Sequence, residues 1–331
     1  MNYSFKISII VAAYNVEKYI DRCLKSITTQ NISNNDYEII IVNDGSTDNT
    51  LQLINEWEIK CQNIKVFTQK NKGQSAARNL ALKQAQGKYI FYVDSDDYVE
   101  SNCLANILEN LNEIDILRFN YFESEVQSFR GEYNEVHNGI EAFLNCSGIW
   151  APWMQIFRKE FLLSNDFYFV EGMTSEDAEL IPRVYLKANS VVVIPDKIYH
   201  YVYNPVSTTK QKKYNFERVF KRIESQLKVL ESCSKLMLNY KTNDNVLKKL
   251  DESVIYPTFT AFCAMILLDK LPLKNALHFQ SEYFKSEFYP IKISQKITIK
   301  QGLMYRIMNS DVLLKVYYVF GFKYIYKSIF K

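Results

Sequence analysis

Glycine and proline are scarce, nine and seven residues in a chain of 331, which excludes collagen-like and low-complexity architectures. The six cysteines, Cys23, Cys61, Cys103, Cys146, Cys233 and Cys263, lie far apart with no C-x-x-C pair, and no histidine stands at metal-ligand spacing, so no zinc site is expected. Scattered thiols suit a reducing, cytoplasmic compartment. The opening residues, Met1 to Phe5 followed by Lys6 and a short apolar run, lack the basic region, long apolar stretch and small-residue cleavage site of a secretory signal. The longest apolar run, Val254 to Leu268, contains Pro257, Thr258 and Thr260 and falls short of the roughly 20 residues a spanning helix needs, so no bilayer-crossing segment is expected. Neither sign of charge is in excess: Lys+Arg number 40 against Asp+Glu 37, a formal +3, too balanced to argue for a nucleic-acid partner. No G-x-G-x-x-G follows the first apolar run, which removes a dinucleotide oxidoreductase.

What the chain has is apolar mass and order. With 47% hydrophobic residues, 24 Tyr and 21 Phe, it can bury the core of one large or two ordinary domains. Over the first hundred residues β-rich runs alternate with amphipathic stretches, which predicts a largely parallel sheet flanked by helices. Strands are expected at Ile7 to Ala12, Glu38 to Val42, Ile64 to Phe67 and Tyr89 to Val93, and helices at about Glu17 to Gln30 and Ser75 to Gln86, the first with Ile20, Cys23, Leu24 and Ile27 on one face. Beyond these come a helix around Leu104 to Leu111, a strand at Ile116 to Phe119, an apolar segment Trp150 to Leu163, a loop and helix over Glu171 to Tyr185, and a strand at Val191 to Pro195. A soft boundary near residue 210 separates an α/β domain, 1–210, from a mainly helical region, 211–331, which opens on the stripe Phe216, Val219, Phe220, Ile223, Leu227 and Leu230.

In open α/β sheets ligands bind beyond the carboxyl ends of the strands. The residues there are Ala13-Tyr14-Asn15, Asn43-Asp44-Gly45, Gln69, Asn71 and Gly73 with Arg78 one turn on, and Asp94-Ser95-Asp96-Asp97. The acidic run repels itself unless a cation or positive group sits among its members, and hard oxygen ligands suit Mg²⁺ or Mn²⁺. Gly73 to Asn79 joins helix-start amides to a guanidinium, both of which favour phosphate oxygens. Taken singly, each feature has a plain alternative: a solvated acidic turn, a Gly-started helix, an Asp-Gly turn.

Together, Val11-Ala12-Ala13-Tyr14-Asn15, Gln30, Glu38 to Asp48, Gly73 to Asn79, Ala85 to Tyr89 and Asp94-Ser95-Asp96-Asp97 resemble the nucleotide-sugar-binding half of family 2 inverting glycosyltransferases, and Glu176-Asp177 followed by Glu179-Leu180 resembles that family's acidic catalytic motif. The resemblance implies a GT-A fold, 1–100 serving the donor and 101–210 the acceptor. It implies that Ala12, Tyr14, Asn15 and Asp44 hold nucleobase and ribose, uridine being the usual guest. Gly73 and Arg78 would lie near the diphosphate, Asp94 and Ser95 near ribose or sugar, and Asp96 on the metal with Asp97 beside it. Asp177 would be the general base, with Glu176 as neighbour. Trp153, in Trp150 to Arg158, stands where relatives present an aromatic wall to the acceptor. In Tyr199-His200-Tyr201-Val202-Tyr203, Val202 replaces a frequent Arg, and His200 is a candidate extra metal ligand. The implied acceptor is a glycan or polyprenyl-linked glycan.

From Gly302 the tail carries Arg306, Lys315, Lys323, Lys327 and Lys331 against Asp311 among many aromatics, a pattern that suits either an anionic membrane surface or a terminal helix packed on the rest of the chain. Two other whole-protein readings stand beside the transferase: a catalytically silent nucleotide-sugar-binding protein, and a phosphotransferase using Asp94 as nucleophile, which would leave Asp44 and Arg78 unused.

Overall fold

A computed structural model of the chain describes residues 3–122, 129–146, 150–202, 204, 216–268, 271–286 and 299–319. Two compact units emerge, Met1–Gly172 with Leu180–Lys212, and Lys213–Lys331 with Met173–Glu179.

The first unit runs β1 (Phe5–Ala13), α1 (Ile20–Thr28), β2 (Tyr37–Asn43), α2 (Thr50–Lys60), β3 (Ile64–Thr68), α3 (Gln74–Gln84) and β4 (Gly87–Asp94), the alternation expected from the apolar pattern. There follow β5 (Tyr98–Val99), α4 (Cys103–Asn110), β6 (Ile116–Tyr121), β7 (Val136–His137), α5 (Gly139–Asn145), a 3-10 turn (Pro152–Met154), β8 (Gln155–Arg158), α6 (Lys159–Ser164), α7 (Glu176–Lys187) and β9 (Val191–His200). The apolar segment Trp150 to Leu163 thus divides into turn, strand and helix. Helix α1 starts at Ile20 rather than Glu17 because the preceding residues serve a neighbouring loop: Val16 N–H donates to Thr50 Oγ1 at 2.8 Å and Glu17 N–H to Asp48 Oδ2 at 3.2 Å.

Strand order is β3-β2-β1-β4-β8-β6-β9-β5, with β7 beside β9. The first four strands pair in parallel. β8 runs antiparallel to both β4 and β6, and β9 is parallel to β6 but antiparallel to β5 and β7, so the sheet as a whole is mixed. Every residue of β2 is buried, as a strand covered on both faces requires. Ile9, Val11, Ile39, Ile41, Phe91 and Val93 meet the α1 face of Ile20, Cys23, Leu24 and Ile27 in one core, each such side chain contributing about 1.5–3 kcal/mol on burial.

Register levels the carboxyl ends of the parallel strands: Ala12 pairs with Val42 on one side and Asp94 on the other, Ala13 with Asn43, and Asn43 with Thr68. At the other end of β2 the wholly buried Glu38 accepts from Ser8 Oγ at 2.7 Å and Gln86 N–H at 2.5 Å and pairs with Lys65 at 3.0 Å, the full set of partners that a buried charge needs.

The second unit consists of α8 (Phe216–Asn239), α9 (Asp244–Leu250), a π turn (Asp251–Ile255), α10 (Tyr256–Leu268), α11 (Leu273–Lys285), α12 (Ile299–Met308) and α13 (Asp311–Val319). Phe259 and Phe262 pack on Tyr283, and Gln280 donates to the carbonyl of Met308 at 3.0 Å. Asp244–Leu267 forms one helical stretch long and apolar enough, by length and composition, to cross a membrane, but 61% of its most apolar window is buried inside the protein. Pro257 and the two threonines lie in the first turns of α10, immediately after the π turn. Of the basic tail, Arg306 lies on α12 and Lys315 on α13, whereas Lys323, Lys327 and Lys331 fall outside the described residues.

Candidate active site

Three loops at the level strand ends are laced together by short polar side chains. Asn15, in the left-handed region at φ 52°, accepts through Oδ1 from Thr47 N–H at 2.8 Å, and its own N–H donates to Ser46 Oγ at 3.1 Å. Asn43 Oδ1 accepts from Ser46 N–H, three residues on, at 3.1 Å, a local side-chain-to-backbone bond that favours a turn over a continued strand. Buried Asp44 accepts from Gln69 Nε2 at 2.7 Å and from the N–H groups of Lys72 and Gly73 at 2.8 Å each. Three of its roughly four lone-pair sites therefore hold the β3–α3 loop. Gly45 has φ 71°, and a Cβ there would lie 2.9 Å from Asn71 N, so the turn admits only glycine without strain. Tyr14 stands 46% exposed beside this lattice.

The acidic run continues from β4. Asp94 Oδ1 receives Arg78 Nη2 at 2.5 Å and Gln74 Nε2 at 3.0 Å. Arg78, only 3% exposed, also lies over the Phe169 ring at 5.1 Å, while Asn79 exchanges hydrogen bonds with the Phe169 backbone, its Nδ2 donating to the carbonyl at 2.9 Å and its Oδ1 accepting from the N–H at 3.0 Å. One turn of α3 thereby fixes both the first acid and the segment ahead of Gly172. Ser95 is buried.

Asp97 belongs to the interior. It is 1% exposed, and its carboxylate accepts from Val202 N–H at 2.7 Å and from the Tyr199 hydroxyl at 2.8 Å. The same Tyr199 oxygen accepts from Asp94 N–H at 3.0 Å. Burial first, then the charge of Asp94, pushes the Asp97 carboxyl up to about 8. With both oxygens engaged, Asp97 is the anchor of the loop rather than a second metal ligand. Asp96 is half-buried, and burial is the main cause that raises its carboxyl above the ordinary value, against the opposing hydrogen bond from Asn204 Nδ2 at 2.9 Å.

Among the described residues no cluster of three or more His, Cys, Asp or Glu could cage a metal. A hard cation would therefore rest on one or two carboxylates and fill its shell from water and ligand oxygens, as Mg²⁺ normally does. The residues fit such an ion: Asp96 Oδ1 receives no side-chain donor from the described residues, and Asp96 and the neighbouring Asp97 are held in surroundings that disfavour charge.

Two candidates take other roles. His200 points Nε2 at Glu100 Oε2, 2.9 Å away, and its ring is stacked on Tyr98 at 4.2 Å and on Phe122 at 3.9 Å. It is a packed, carboxylate-bound histidine. Trp153 is 5% exposed, stacked on Tyr199 at 4.4 Å and edge-on to Tyr121 at 5.3 Å, so it supports the tyrosine that holds the acids and offers no open face. Tyr201, 39% exposed and 5.8 Å from Trp153, is the outward ring of this stack.

Glu176 and Asp177 open α7, in the short segment grouped with the second unit. Their turn is fastened to α8: Thr174 N–H donates to Ser225 Oγ at 3.0 Å, Gln226 Nε2 to Ser175 Oγ at 3.0 Å and Ser232 Oγ to Glu179 Oε1 at 2.6 Å. Asp177 Oδ1 accepts from Ala178 N–H at 2.8 Å and Glu176 Oε2 from Ser175 N–H at 3.1 Å.

Sequence reasoning missed Gln74, Tyr199 and Asn204 as partners of the acids. Gln74 lay inside a quoted motif, and Tyr199 inside an aromatic run. Asn204 carried no local signal.

Comparison with known proteins agrees with this arrangement. The family model described as glycosyl transferase family 2 matches residues 8–162. The chain is 34% identical over 208 residues to the poly(ribitol-phosphate) beta-N-acetylglucosaminyltransferase TarS of Staphylococcus aureus, covering 59% of this chain and 35% of TarS. It is 34% identical over 215 residues to the glycosyltransferase GlyG of Streptococcus pneumoniae, covering 59% of this chain and 70% of GlyG. Against the first relatives, TarS and the S. pneumoniae glycosyltransferase GlyA, it spans about a third of their length, 35% and 30%. Among solved structures, residues 1–349 of S. aureus TarS in complex with UDP-GlcNAc superpose with TM-score 0.58 at 23% identity, over 93% of this chain and 83% of that one. The mannosyltransferase PcManGT of Pyrobaculum calidifontis, in complex with GDP-Man and Mn²⁺, gives 0.52 at 14% identity, over 93% and 87%. At such identities the likeness speaks for the fold, which is GT-A with a helical C-terminal region. Taken with the family model and the extent of the match to GlyG, it establishes that the chain is a member of glycosyl transferase family 2.

Proposed function

We propose that the protein transfers a sugar from a nucleotide-sugar donor, UDP-linked, to a hydroxyl of a glycan or polyprenyl-linked glycan, with inversion and with Mn²⁺ or Mg²⁺. The observation that carries this reading is the juxtaposition, at one level sheet edge, of the Arg78–Asp94 pair with the half-buried, cation-hungry Asp96. The exposed Tyr14 and the loops of Asn15 and Asp44 suit a nucleobase and ribose, backed by Ala12, and the Gly73 amides with Arg78 suit a diphosphate. Asp96 would hold the divalent ion, which when bound supplies positive charge to the departing diphosphate.

The chain's own chemistry follows. Asp94, paired with Arg78, accepts a donor hydroxyl. Asp177 takes the proton of the acceptor hydroxyl as its oxygen bonds to the anomeric carbon, while the bond from that carbon to the diphosphate oxygen breaks and its electron pair leaves with the nucleotide. Glu176 stands beside it in the first turn of α7. TarS, solved with UDP-GlcNAc, and PcManGT, solved with GDP-Man and Mn²⁺, support the donor class and the ion. Exposed Val312 and Leu313 beside Lys315 on α13 support a cytoplasmic enzyme that rests on an anionic membrane face.

A thermal-shift screen of nucleotide sugars with and without Mn²⁺ tests the proposal. A fitting donor at 100 times its Kd should stabilise the fold by about 2.7 kcal/mol, and no response to any donor overturns it. Donor hydrolysis then separates enzyme from silent binder: Asp177→Asn should bind donor yet turn over about 10²–10⁴-fold more slowly. Equal, negligible turnover in both proteins would favour a binding protein.

A further inference from the structure

We infer that Asn204 is a positioning residue that aims one oxygen of Asp96, and that Tyr19 sets its orientation. The inference rests on the reading of Asp96 as the seat of the cation. Asn204 is 7% exposed and stands 108 residues from Asp96 in sequence, yet its Nδ2 donates to Asp96 Oδ2 at 2.9 Å. On the other side its Oδ1 accepts from the Tyr19 hydroxyl at 3.3 Å, across 185 residues.

A side-chain amide can face a carboxylate with either end. Here the Asp96 carboxylate selects the NH₂ end, since turned round the amide would set its oxygen against it, and the Tyr19 hydroxyl donates to the amide oxygen on the far side and steadies that orientation. In the observed orientation the Asp96 oxygen nearer the amide is capped, while Oδ1 receives no side-chain donor from the described residues. The backbone is held as well, since Arg22 Nη2 donates to the Asp96 carbonyl at 3.1 Å and its guanidinium lies over Tyr98 at 4.7 Å. One carboxylate oxygen is thus engaged, and Oδ1 is the one presented to an incoming ion. Such outer partners commonly govern metal affinity about 10–100-fold.

The test follows Mn²⁺ binding to the intact chain in the presence of UDP, by the EPR signal of free Mn²⁺, with melting temperatures measured alongside. Asn204→Ala should weaken Mn²⁺ binding about 10-fold. Tyr19→Phe, which removes one hydroxyl from a partly exposed ring, should weaken it about 3-fold, the effect of a single weak hydrogen bond. Because Tyr19 acts through Asn204, the double variant should bind no worse than Asn204→Ala alone. Asp96→Asn is the separate control: if it leaves Mn²⁺ binding intact, the metal reading itself falls. If Asp96→Asn abolishes binding while Asn204→Ala and Tyr19→Phe bind like the parent, or if the two losses add, the positioning role is overturned and the metal reading stands. Should Asn204→Ala fail to fold, Tyr19→Phe decides alone, and parental affinity in it overturns the relay.

Discussion

The Tyr199 hydroxyl donates to Asp97 Oδ2 at 2.8 Å while accepting the Asp94 N–H at 3.0 Å. One phenol thus spans both ends of the acidic turn, and the Trp153 ring stacked behind it at 4.4 Å keeps it there. The turn is rigid before any ligand arrives.

Asp97 makes the metal-free protein sensitive to pH. Its carboxyl is pushed from 3.8 up to about 8 by burial and by Asp94, so between those limits the folded chain holds a proton that the unfolded chain has lost. The stabilisation is complete below the lower limit and fades as pH climbs through the upper one. Melting temperature of the metal-free chain should fall from about pH 5 to about pH 8, and Asp97→Asn should flatten that slope. An unchanged slope in the variant would remove Asp97 as its source.

Arg78 is 3% exposed and pairs with Asp94 at 2.5 Å. Arg78→Ala leaves a carboxylate without its cation and should lower stability by about 3 kcal/mol in urea unfolding. Arg78→Lys restores charge but neither the fork nor the face that lies on Phe169, so stability should recover in part while donor affinity stays low. Full recovery of affinity with Lys would show that only the charge matters.

Gly45→Ala forces a side chain into the left-handed region, with its Cβ 2.9 Å from Asn71 N. A loss of about 1–3 kcal/mol is expected, together with weaker UDP binding, because the Asp44 clamp on Lys72 and Gly73 starts at this turn. Isothermal titration with UDP checks the second half.

His200→Phe keeps a ring between Tyr98 and Phe122 and loses the contact with Glu100. Mn²⁺ affinity in the presence of UDP should stay within about twofold of the parent, since the stacked ring is kept and the Glu100 hydrogen bond is a packing contact. A ten-fold loss would return His200 to the list of metal ligands.

Much of the parallel sheet was legible because its signals are local. The runs Ile7 to Ala12 and Glu38 to Val42 announce buried strands, and Asp94 to Asp97 crowd like charges at a strand end, which no core would tolerate unaided. What was illegible depends on partners far along the chain. Nothing near Asp97 says that a tyrosine 102 residues on will fill its coordination. The three donors that hold Asp44 lie on another loop, and Trp153 read as an open wall because tryptophan type does not reveal what stacks on it. The acidic segment Glu176-Asp177 was visible, but its fastening to α8 through Ser225, Gln226 and Ser232 was not, since those residues are ordinary polar positions on an amphipathic stripe.

The clamp from the end of β9 also imposes an order on the molecule's making. A nascent chain that has emerged only as far as β5 carries Asp94, Asp96 and Asp97 but neither Tyr199 nor Asn204, so it can close its four parallel strands with the acidic turn still loose. The acidic turn therefore gains its distant fastenings only once the growing polypeptide has passed Asn204.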